Sequence, residues 1–206
     1  MNVAAATALE RLRGGNRRFA EDLRRDGQSN RERRSALTSG QEPFAIILGC
    51  SDSRVPAEIV FDQGLGDLFV IRVAGNIVAP SQVASIEFAA ARFGTRLVVV
   101  LGHSQCGAIL ATLEELDRPT ESRSESFRAI VDRVRPAVES VLAAAVEGRG
   151  ADAIAEEAVR ANVRRSVSLL KHGSGLVERL IARDGLLVVG AEYSLESGLV
   201  DFFEGV

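Results

Sequence analysis

The sequence predicts an α/β fold, with a mostly parallel central β-sheet flanked by helices and an N-terminal helical arm. Four short apolar runs lack polar alternation, and segments of helical composition separate them. Such runs are typical of strands buried on both faces of a parallel sheet, and helices between them supply right-handed crossovers. The 206 residues suffice for one domain, so we expect residues 1–206 to form a single domain with residues 1–40 as its arm.

The N-terminal arm is expected to contain two helices. Residues 4–25 favour an amphipathic helix. Its apolar side chains recur between arginines at Leu9, Leu12, Phe19 and Leu23. We expect this helix to stop at residues 26–27, and residues 31–37 to form a second, shorter helix. The rest of the chain shows no evident apolar layer to cover the first helix.

The remaining elements follow in order along the chain. The predicted strands are the four apolar runs, at residues 44–49, 68–73, 97–102 and 185–190. The predicted helices lie at residues 56–60, 81–93, 107–116, 127–147 and 151–170. His172 is expected to be an exposed residue at the C-terminal end of the last helix, where the helix dipole favours a cation.

Composition and charge exclude several classes of function. The chain is 46% apolar and 26% charged, as globular proteins are. The formal net charge of −3 argues against a nucleic-acid partner, and the N-terminal arginines alternate with acidic residues as on a solvated helix. No apolar run is long enough for a membrane span, and the N-terminus lacks the apolar core of a secretory signal. We therefore expect a cytoplasmic protein without a membrane partner.

Three of the four cysteine and histidine residues follow predicted strands. Cys50 comes directly after the first strand, and His103 and Cys106 follow the third. The C-terminal ends of parallel strands share one edge of a sheet, which is where sites form. His103 and Cys106 are spaced so that both can face one atom. Two thiolates and one imidazole are the protein ligands of a zinc site with an open fourth position.

Other interpretations of these residues remain open. Cys50 and Cys106 are equally consistent with buried thiols that act as small hydrophobic side chains. His103 and Cys106 also suit a nucleophilic Cys–His pair, although that leaves Cys50 without a role. A cysteine-based redox protein is a further alternative, but the sequence has no Cys-x-x-Cys pair.

Asp52 and Arg54 follow Cys50 at two-residue intervals. Asp52 is a candidate fourth metal ligand. Alternatively, Arg54 holds it off the metal, because a guanidinium binds a carboxylate through two hydrogen bonds. The third interpretation is a solvent-exposed ion pair in a loop.

The motifs Cys50-Ser-Asp-Ser-Arg54 and His103-Ser-Gln-Cys106-Gly107 resemble the two signature motifs of the β-class carbonic anhydrases. Residues 61–76 and 192–200 are similar as well. The resemblance implies the fold of that family and one Zn²⁺ per chain on Cys50, His103 and Cys106. It implies that Asp52 and Arg54 are the catalytic pair.

The activity implied by this resemblance is reversible hydration of carbon dioxide to bicarbonate and a proton by a zinc-bound hydroxide. Members of the family are dimers or tetramers in which the arm lies across a neighbour, so a homodimer or homotetramer is expected. Two alternatives remain, namely hydrolysis of carbon disulfide or carbonyl sulfide on the same fold and a non-catalytic zinc-binding module. The Asp52–Arg54 pair argues against the second, because a binding module does not need it.

The resemblance also implies a small apolar pocket for the substrate. Its matching positions are Gln41, Phe69, Ala74, Phe88 and the backbone N–H of Gly107. Phe88 stands where many members of the family carry tyrosine, so a hydroxyl is missing there.

Some members of the family close their site at lower pH, when the aspartate moves from its arginine to zinc. Bicarbonate favours closure by binding to a tryptophan, an arginine and a tyrosine. Arg72 and Tyr193 match the last two positions, but Ile47 replaces the tryptophan and offers no N–H donor. We therefore expect an open site, with Asp52 a fourth ligand only in a closed state.

Overall fold

The computed structural model describes residues 3–25, 28–117, 124–145 and 150–206. Its centre is a five-stranded sheet with the order β2-β1-β3-β4-β5. The strands are β1 (Ala45–Gly49), β2 (Leu68–Arg72), β3 (Leu97–His103), β4 (Leu187–Tyr193) and β5 (Val200–Glu204). The first four are parallel, and β5 runs antiparallel to β4 at the edge of the sheet. The predicted mostly parallel α/β sheet is confirmed.

Helices connect the strands and follow them. They are α1 (Ala5–Ala20), α2 (Arg31–Ala36), α3 (Ala57–Val60), α4 (Pro80–Arg92), α5 (Gly107–Asp117), α6 (Glu125–Ala144), α7 (Ala151–His172) and α8 (Gly175–Arg183). From α2 to α7 these bounds lie within three residues of the predicted ones. The predicted end of α6 at residue 147 lies outside the described residues. Helix α8 and strand β5 were not expected from the sequence.

Strand β4 is displaced towards the C-terminus relative to its prediction at residues 185–190. Gly185 has a φ of +67° and forms the turn between α8 and the strand, so pairing begins later. The strand then continues until Tyr193 pairs with His103. Because of this extension, β4 ends level with the C-terminal end of β3.

Apolar side chains fill both faces of the sheet. On one face, Leu12 of α1 and Val60 of α3 belong to a cluster with Val99 of β3. On the other face, Ile86 of α4 and Val163 of α7 share a cluster with the remaining strand residues. Because alternate residues of a strand point to opposite faces, burial of both faces explains why the strands read as continuous apolar runs.

The first helix ends at Ala20, five residues before its predicted end. Asp22 adopts a left-handed φ of +55°, which turns the chain out of the helix. The turn brings the backbone N–H of Arg25 to the Asp62 carboxylate at 3.1 Å. The expected stop at residues 26–27 lies outside the described residues.

The expectation that α1 lacks an apolar layer in its own chain is wrong. Leu9 and Leu12 are buried in the same cluster as the strand residues of one sheet face. The Phe19 ring packs against Tyr193 with the ring centroids 6.2 Å apart. Only Leu23, beyond the end of the helix, is exposed among the four apolar residues of the predicted stripe, because the chain has turned away there.

Helix α7 packs on the same face of the sheet as α4. It ends at the exposed His172, as predicted. It packs on β3 and β4, and it also contacts a short turn formed by Ala74–Asn76, called the 74–76 turn below. Within the described part of the chain, neither α7 nor any other helix combines the length and apolarity needed to cross a membrane.

Candidate metal centre

Three ligating side chains meet where β1 and β3 end. Cys50 directly follows β1, His103 is the last residue of β3, and Cys106 immediately precedes α5. The two strands are adjacent and parallel, so their C-terminal ends lie at the same edge of the sheet. The donor atoms of Cys50, His103 and Cys106 all lie within 4.8 Å of one another. The structure therefore brings together the three ligands that the sequence singled out.

The His103 ring leaves its Nε2 as the nitrogen available to this cluster. The residue is fully buried, and its Nδ1 lies 2.9 Å from the carbonyl oxygen of Ser104. Since a carbonyl can only accept, Nδ1 carries the proton and donates it. Its Nε2 is buried and has no hydrogen-bond partner among the described residues. A buried, unpaired imidazole nitrogen is the arrangement expected of a metal ligand.

The donor set fits zinc. Zinc binds thiolate sulfur at about 2.3 Å and imidazole nitrogen at about 2.0 Å in a tetrahedron, which places its ligands roughly 3–4 Å apart. The separations in the cluster are compatible with that spacing. Two cysteines and one histidine supply three ligands, and the fourth position of the tetrahedron remains for a small molecule.

The Cys106 thiol donates its proton in a hydrogen bond to the sulfur of Cys50. The hydrogen bond from Cys106 is the main influence that lowers the pKa of Cys50 to about 4, and it outweighs the opposing effect of burial. The same hydrogen bond and burial raise the pKa of Cys106. A metal that binds both sulfurs must displace this proton, so binding is expected to strengthen as the pH rises.

The 74–76 turn contacts the sulfur of Cys50. The backbone N–H of Gly75 donates to Cys50 Sγ at 3.4 Å. Gly75 has a φ of +69°, and a Cβ there would lie 3.1 Å from the Cβ of Ala108. Both the left-handed backbone and the close packing favour glycine at this position.

Asp52 and Arg54 form a two-point ion pair beside the cluster. Arg54 Nε donates to Oδ1 of Asp52 at 2.9 Å, and Nη2 donates to Oδ2 at 2.7 Å. The guanidinium holds the pKa of the Asp52 carboxyl well below its usual range. Oδ2 also lies 3.9 Å from Nε2 of His103. The carboxylate is therefore ionised, close to the ligand cluster and restrained by Arg54.

A second arginine fixes the backbone of the same loop. Arg72 pairs with Gly49 across β2 and β1, and its Nε donates to the carbonyl oxygen of Cys50 at 3.0 Å. Its Nη2 donates to the carbonyl oxygen of Asp52 at 2.6 Å. This role of Arg72 in holding the loop was not expected from the sequence. The resemblance singled Arg72 out only as a match to a bicarbonate-binding arginine, and its position at the end of an apolar strand does not reveal its hydrogen bonds to the loop.

The residues expected to line the substrate pocket separate into two groups. Ala74 lies in the 74–76 turn and Gly107 begins α5, so both are close to the ligand cluster. Gln41 precedes β1, at the opposite end of that strand from Cys50. It lines a cavity of about 800 Å³ with residues that include Phe93.

Phe69 and Phe88 belong to the distant group as well. Phe69 pairs with Ile46 near the start of β1, and Phe88 lies on α4 with 54% of its surface exposed. The two rings pack together with centroids 6.2 Å apart. The structure does not bring Gln41, Phe69 or Phe88 to the ligand cluster of the same chain.

Comparison with known proteins agrees with the geometry of the site. Residues 45–200, which contain all three ligands and the Asp52–Arg54 pair, match the family model described as carbonic anhydrase. The chain belongs to the β-carbonic anhydrase family. A carbonic anhydrase from Mycolicibacterium smegmatis is 38% identical over 201 residues, which cover 97% of this chain and 94% of that protein.

Two further relatives support membership of the family. Carbonic anhydrase 2 of Mycobacterium tuberculosis is 37% identical, over 96% of this chain and 92% of its own length. A tetrameric β-carbonic anhydrase from Sordaria macrospora superposes with a TM-score of 0.72 and 25% identity, covering 84% of this chain and 87% of that one. The expected fold and the expected enzyme class, carbonic anhydrase, are confirmed.

Proposed function

We propose that this enzyme catalyses the reversible, zinc-dependent hydration of carbon dioxide to bicarbonate and a proton. The observation that carries the proposal is the Asp52 carboxylate, bound at both oxygens by Arg54 and placed beside the buried Cys50–His103–Cys106 cluster. One zinc ion per chain on these three ligands would acidify a water and so provide a nucleophile near neutral pH.

Asp52 orients the attacking oxygen. Its carboxylate only accepts hydrogen bonds when ionised, so an attacking water or hydroxide must donate its hydrogen to Asp52. That hydrogen bond turns an oxygen lone pair towards the carbon of carbon dioxide. The new carbon–oxygen bond gives bicarbonate, and the proton released in forming the nucleophile passes to solvent.

Arg54 keeps Asp52 in this role. The bidentate pair stabilises the ionised carboxylate and fixes the direction in which its free lone pairs point. Arg72 holds the carbonyl of Asp52, so the backbone of the loop is restrained as well. Both arginines therefore preorganise the carboxylate before substrate arrives.

A second copy of the chain completes the substrate pocket in our proposal. Gln41, Phe69 and Phe88 lie at the far end of the sheet from their own ligand cluster, so another chain must supply them. The exposed Phe88 packs on Phe69 and on Phe93, which presents an aromatic surface at the edge of the sheet. The tetrameric relative from Sordaria macrospora is consistent with a homodimer or homotetramer. We propose that each chain forms a single domain, because the first helix of its arm packs on its own sheet.

We place the enzyme in the cytoplasm because of its thiols. Cys50 and Cys106 are both free and buried within one cluster. A metal site with two thiolates needs both sulfurs reduced, and the cytoplasm is the compartment that keeps thiols reduced.

Stopped-flow hydration of carbon dioxide, on protein of measured zinc content, tests the function. We expect the rate to rise in proportion to zinc content, and a Cys50→Ser variant to serve as the inactive control. Hydrolysis of carbonyl sulfide should be measured on the same samples. Turnover of the sulfur substrate without hydration of carbon dioxide, or full zinc without either activity, would overturn the proposal.

A further inference from the structure

Two polar side chains are buried on the apolar face of α7. Asn162 and Ser166 lie one helical turn apart, and each is 2% exposed. Their neighbours on this face are Val159, Val163 and Val167. A buried polar group is destabilising unless it forms hydrogen bonds, so the partners of these two side chains show what they do.

Both side chains bind the 74–76 turn. Asn162 Nδ2 donates to the carbonyl oxygen of Gly75 at 2.8 Å, and Ser166 Oγ donates to the carbonyl oxygen of Asn76 at 3.2 Å. The two carbonyls are consecutive along the chain. Helix α7 therefore fixes the orientation of two successive peptide groups in this turn.

The conformation of the turn depends on such external contacts. Gly75 has a φ of +69° and Asn76 a φ of +42°. Glycine and asparagine tolerate the left-handed region, but they also populate other backbone conformations, so the hydrogen bonds from α7 select this one. The same turn directs the Gly75 N–H at Cys50 Sγ, so its conformation decides whether that hydrogen bond forms.

The same helix also supports the strand that carries His103. A Cβ at Gly102 would lie 2.6 Å from Cγ2 of Val163, so α7 packs directly on the residue before the ligand. Val163 follows Asn162 in the sequence. One short stretch of α7 thus contacts both the turn that hydrogen-bonds Cys50 Sγ and the strand that carries His103.

We propose that Asn162 and Ser166 are positioning residues of the metal centre, acting through the 74–76 turn on the sulfur of Cys50. The proposal rests on the zinc site proposed above. An N–H donated to a thiolate orients the sulfur and withdraws charge from it, which changes both metal affinity and the electronic structure of the metal–sulfur bond. Neither side chain touches the cluster, so sequence spacing alone does not reveal this role.

The test uses Co²⁺ in place of zinc, because the sulfur-to-cobalt charge-transfer band reports directly on the thiolates. The variants are Asn162→Leu, which keeps the side-chain volume, and Ser166→Ala, which is milder if the first does not fold. We expect the charge-transfer band to shift in each variant. We also expect cobalt affinity, measured by competition with a chelator, to fall about tenfold or more.

Asn16→Leu is the matched control. Asn16 is 3% exposed, donates to the carbonyl oxygens of Val60 and Gly198 and accepts from the N–H of Val200, and none of these residues belongs to the 74–76 turn or the ligand cluster. Its loss should lower the thermal unfolding temperature and leave the cobalt band unchanged. If the control shifts the band as far as Asn162→Leu does, the effect is general destabilisation and the proposal is wrong.

The remaining outcomes separate the two proposals. Wild-type protein that binds no cobalt through its cysteines contradicts the proposed metal centre itself. Wild-type protein that binds cobalt, with an identical band and affinity in Asn162→Leu and Ser166→Ala, overturns the positioning role and leaves the metal centre standing.

Discussion

Oδ2 of Asp52 lies 3.9 Å from Nε2 of His103, the ring nitrogen that no described residue hydrogen-bonds. The same oxygen accepts a hydrogen bond from Arg54 at 2.7 Å. The carboxylate is thus close to the position where a metal would sit, while the arginine restrains it. This restraint decides between two roles of Asp52. It can accept a hydrogen bond from the attacking water or hydroxide, or it can bind the metal in place of that water.

Zinc content is the first prediction. Wild-type protein should hold one zinc per chain, and Cys50→Ser and Cys106→Ser should lose most of it, because a serine hydroxyl does not replace a thiolate ligand. Elemental analysis of purified protein measures this, with the exposed Ser53→Ala as the control that keeps its zinc. Full occupancy in both cysteine variants would show that the cluster is not the binding site.

The open state of the site is the second prediction. In crystals of the zinc-loaded enzyme at alkaline pH, Asp52 should remain on Arg54, because Ile47 provides no N–H to a bicarbonate that would favour closure. In Arg54→Ala the carboxylate loses its partner and should move towards the metal. The hydration rate should then fall about 10–100-fold while zinc is retained.

Two results would contradict this view of the open state. One is Asp52 coordinated to zinc in the alkaline wild-type crystal. The other is strong cooperative inhibition of the wild-type enzyme by bicarbonate. An Arg54→Lys variant is the control for charge, since lysine keeps the cation and loses the two-point geometry.

The metal cluster could be predicted from the sequence because its position follows from strand direction. Cys50 and His103 directly follow or end adjacent parallel strands, and such ends share one edge of the sheet. The same logic locates Asp52, which is two residues beyond Cys50. Apolar runs and turn residues were sufficient for this part of the fold.

The rest of the site depends on contacts that no local pattern records. In the sequence, Asn162 and Ser166 are indistinguishable from other polar residues of an amphipathic helix. Their hydrogen bonds to the 74–76 turn are seen only once α7 is packed on the sheet. The register of β4 depends on its pairing with β3, and the edge strand β5 contains Asp201 and Glu204, so it lacks the continuous apolar run of the buried strands. Gln41 and Phe88 match family positions, yet one chain alone leaves them far from the cluster.

Assembly is the third prediction. Sedimentation at micromolar concentration should show a dimer or tetramer, because in our proposal Gln41, Phe69 and Phe88 complete the ligand cluster of another chain. Phe88→Asp places a charge on the exposed aromatic surface and should weaken both assembly and activity. Leu169→Asp, on an exposed position of α7, is the matched control. A stable and fully active monomer would refute the shared pocket.

The buried carboxylate of Glu192 gives the fourth prediction. Burial raises the pKa of Glu192 above its ordinary value of 4.5, although Arg160 opposes this at 3.2 Å. Glu156 and Asp201 raise it further. Because the folded protein holds this proton more tightly than the unfolded chain, this carboxyl makes stability decrease as pH rises above about 4.5.

Removing the Arg160 cation should make the folding stability depend more steeply on pH. We expect Arg160→Met to lower the free energy of unfolding by about 3 kcal/mol at neutral pH, where Glu192 is left charged and unpaired. The loss should be smaller near pH 4.5, where the raised pKa keeps more of the carboxyl protonated in the folded protein. Urea unfolding at both pH values measures this, and Glu192→Gln in the same chain should remove the difference. An equal loss at both pH values would contradict the assigned pairing.

The most direct measurement is the carbon dioxide hydration rate of Asp52→Asn, determined by stopped flow on protein shown to carry a full complement of zinc. The amide keeps the size of the side chain but no longer offers two equivalent acceptor oxygens, so it does not select one orientation of the attacking oxygen. We predict that the variant retains its zinc and loses most of its hydration activity. Wild-type turnover in the zinc-replete variant would contradict the role of Asp52 in the reaction.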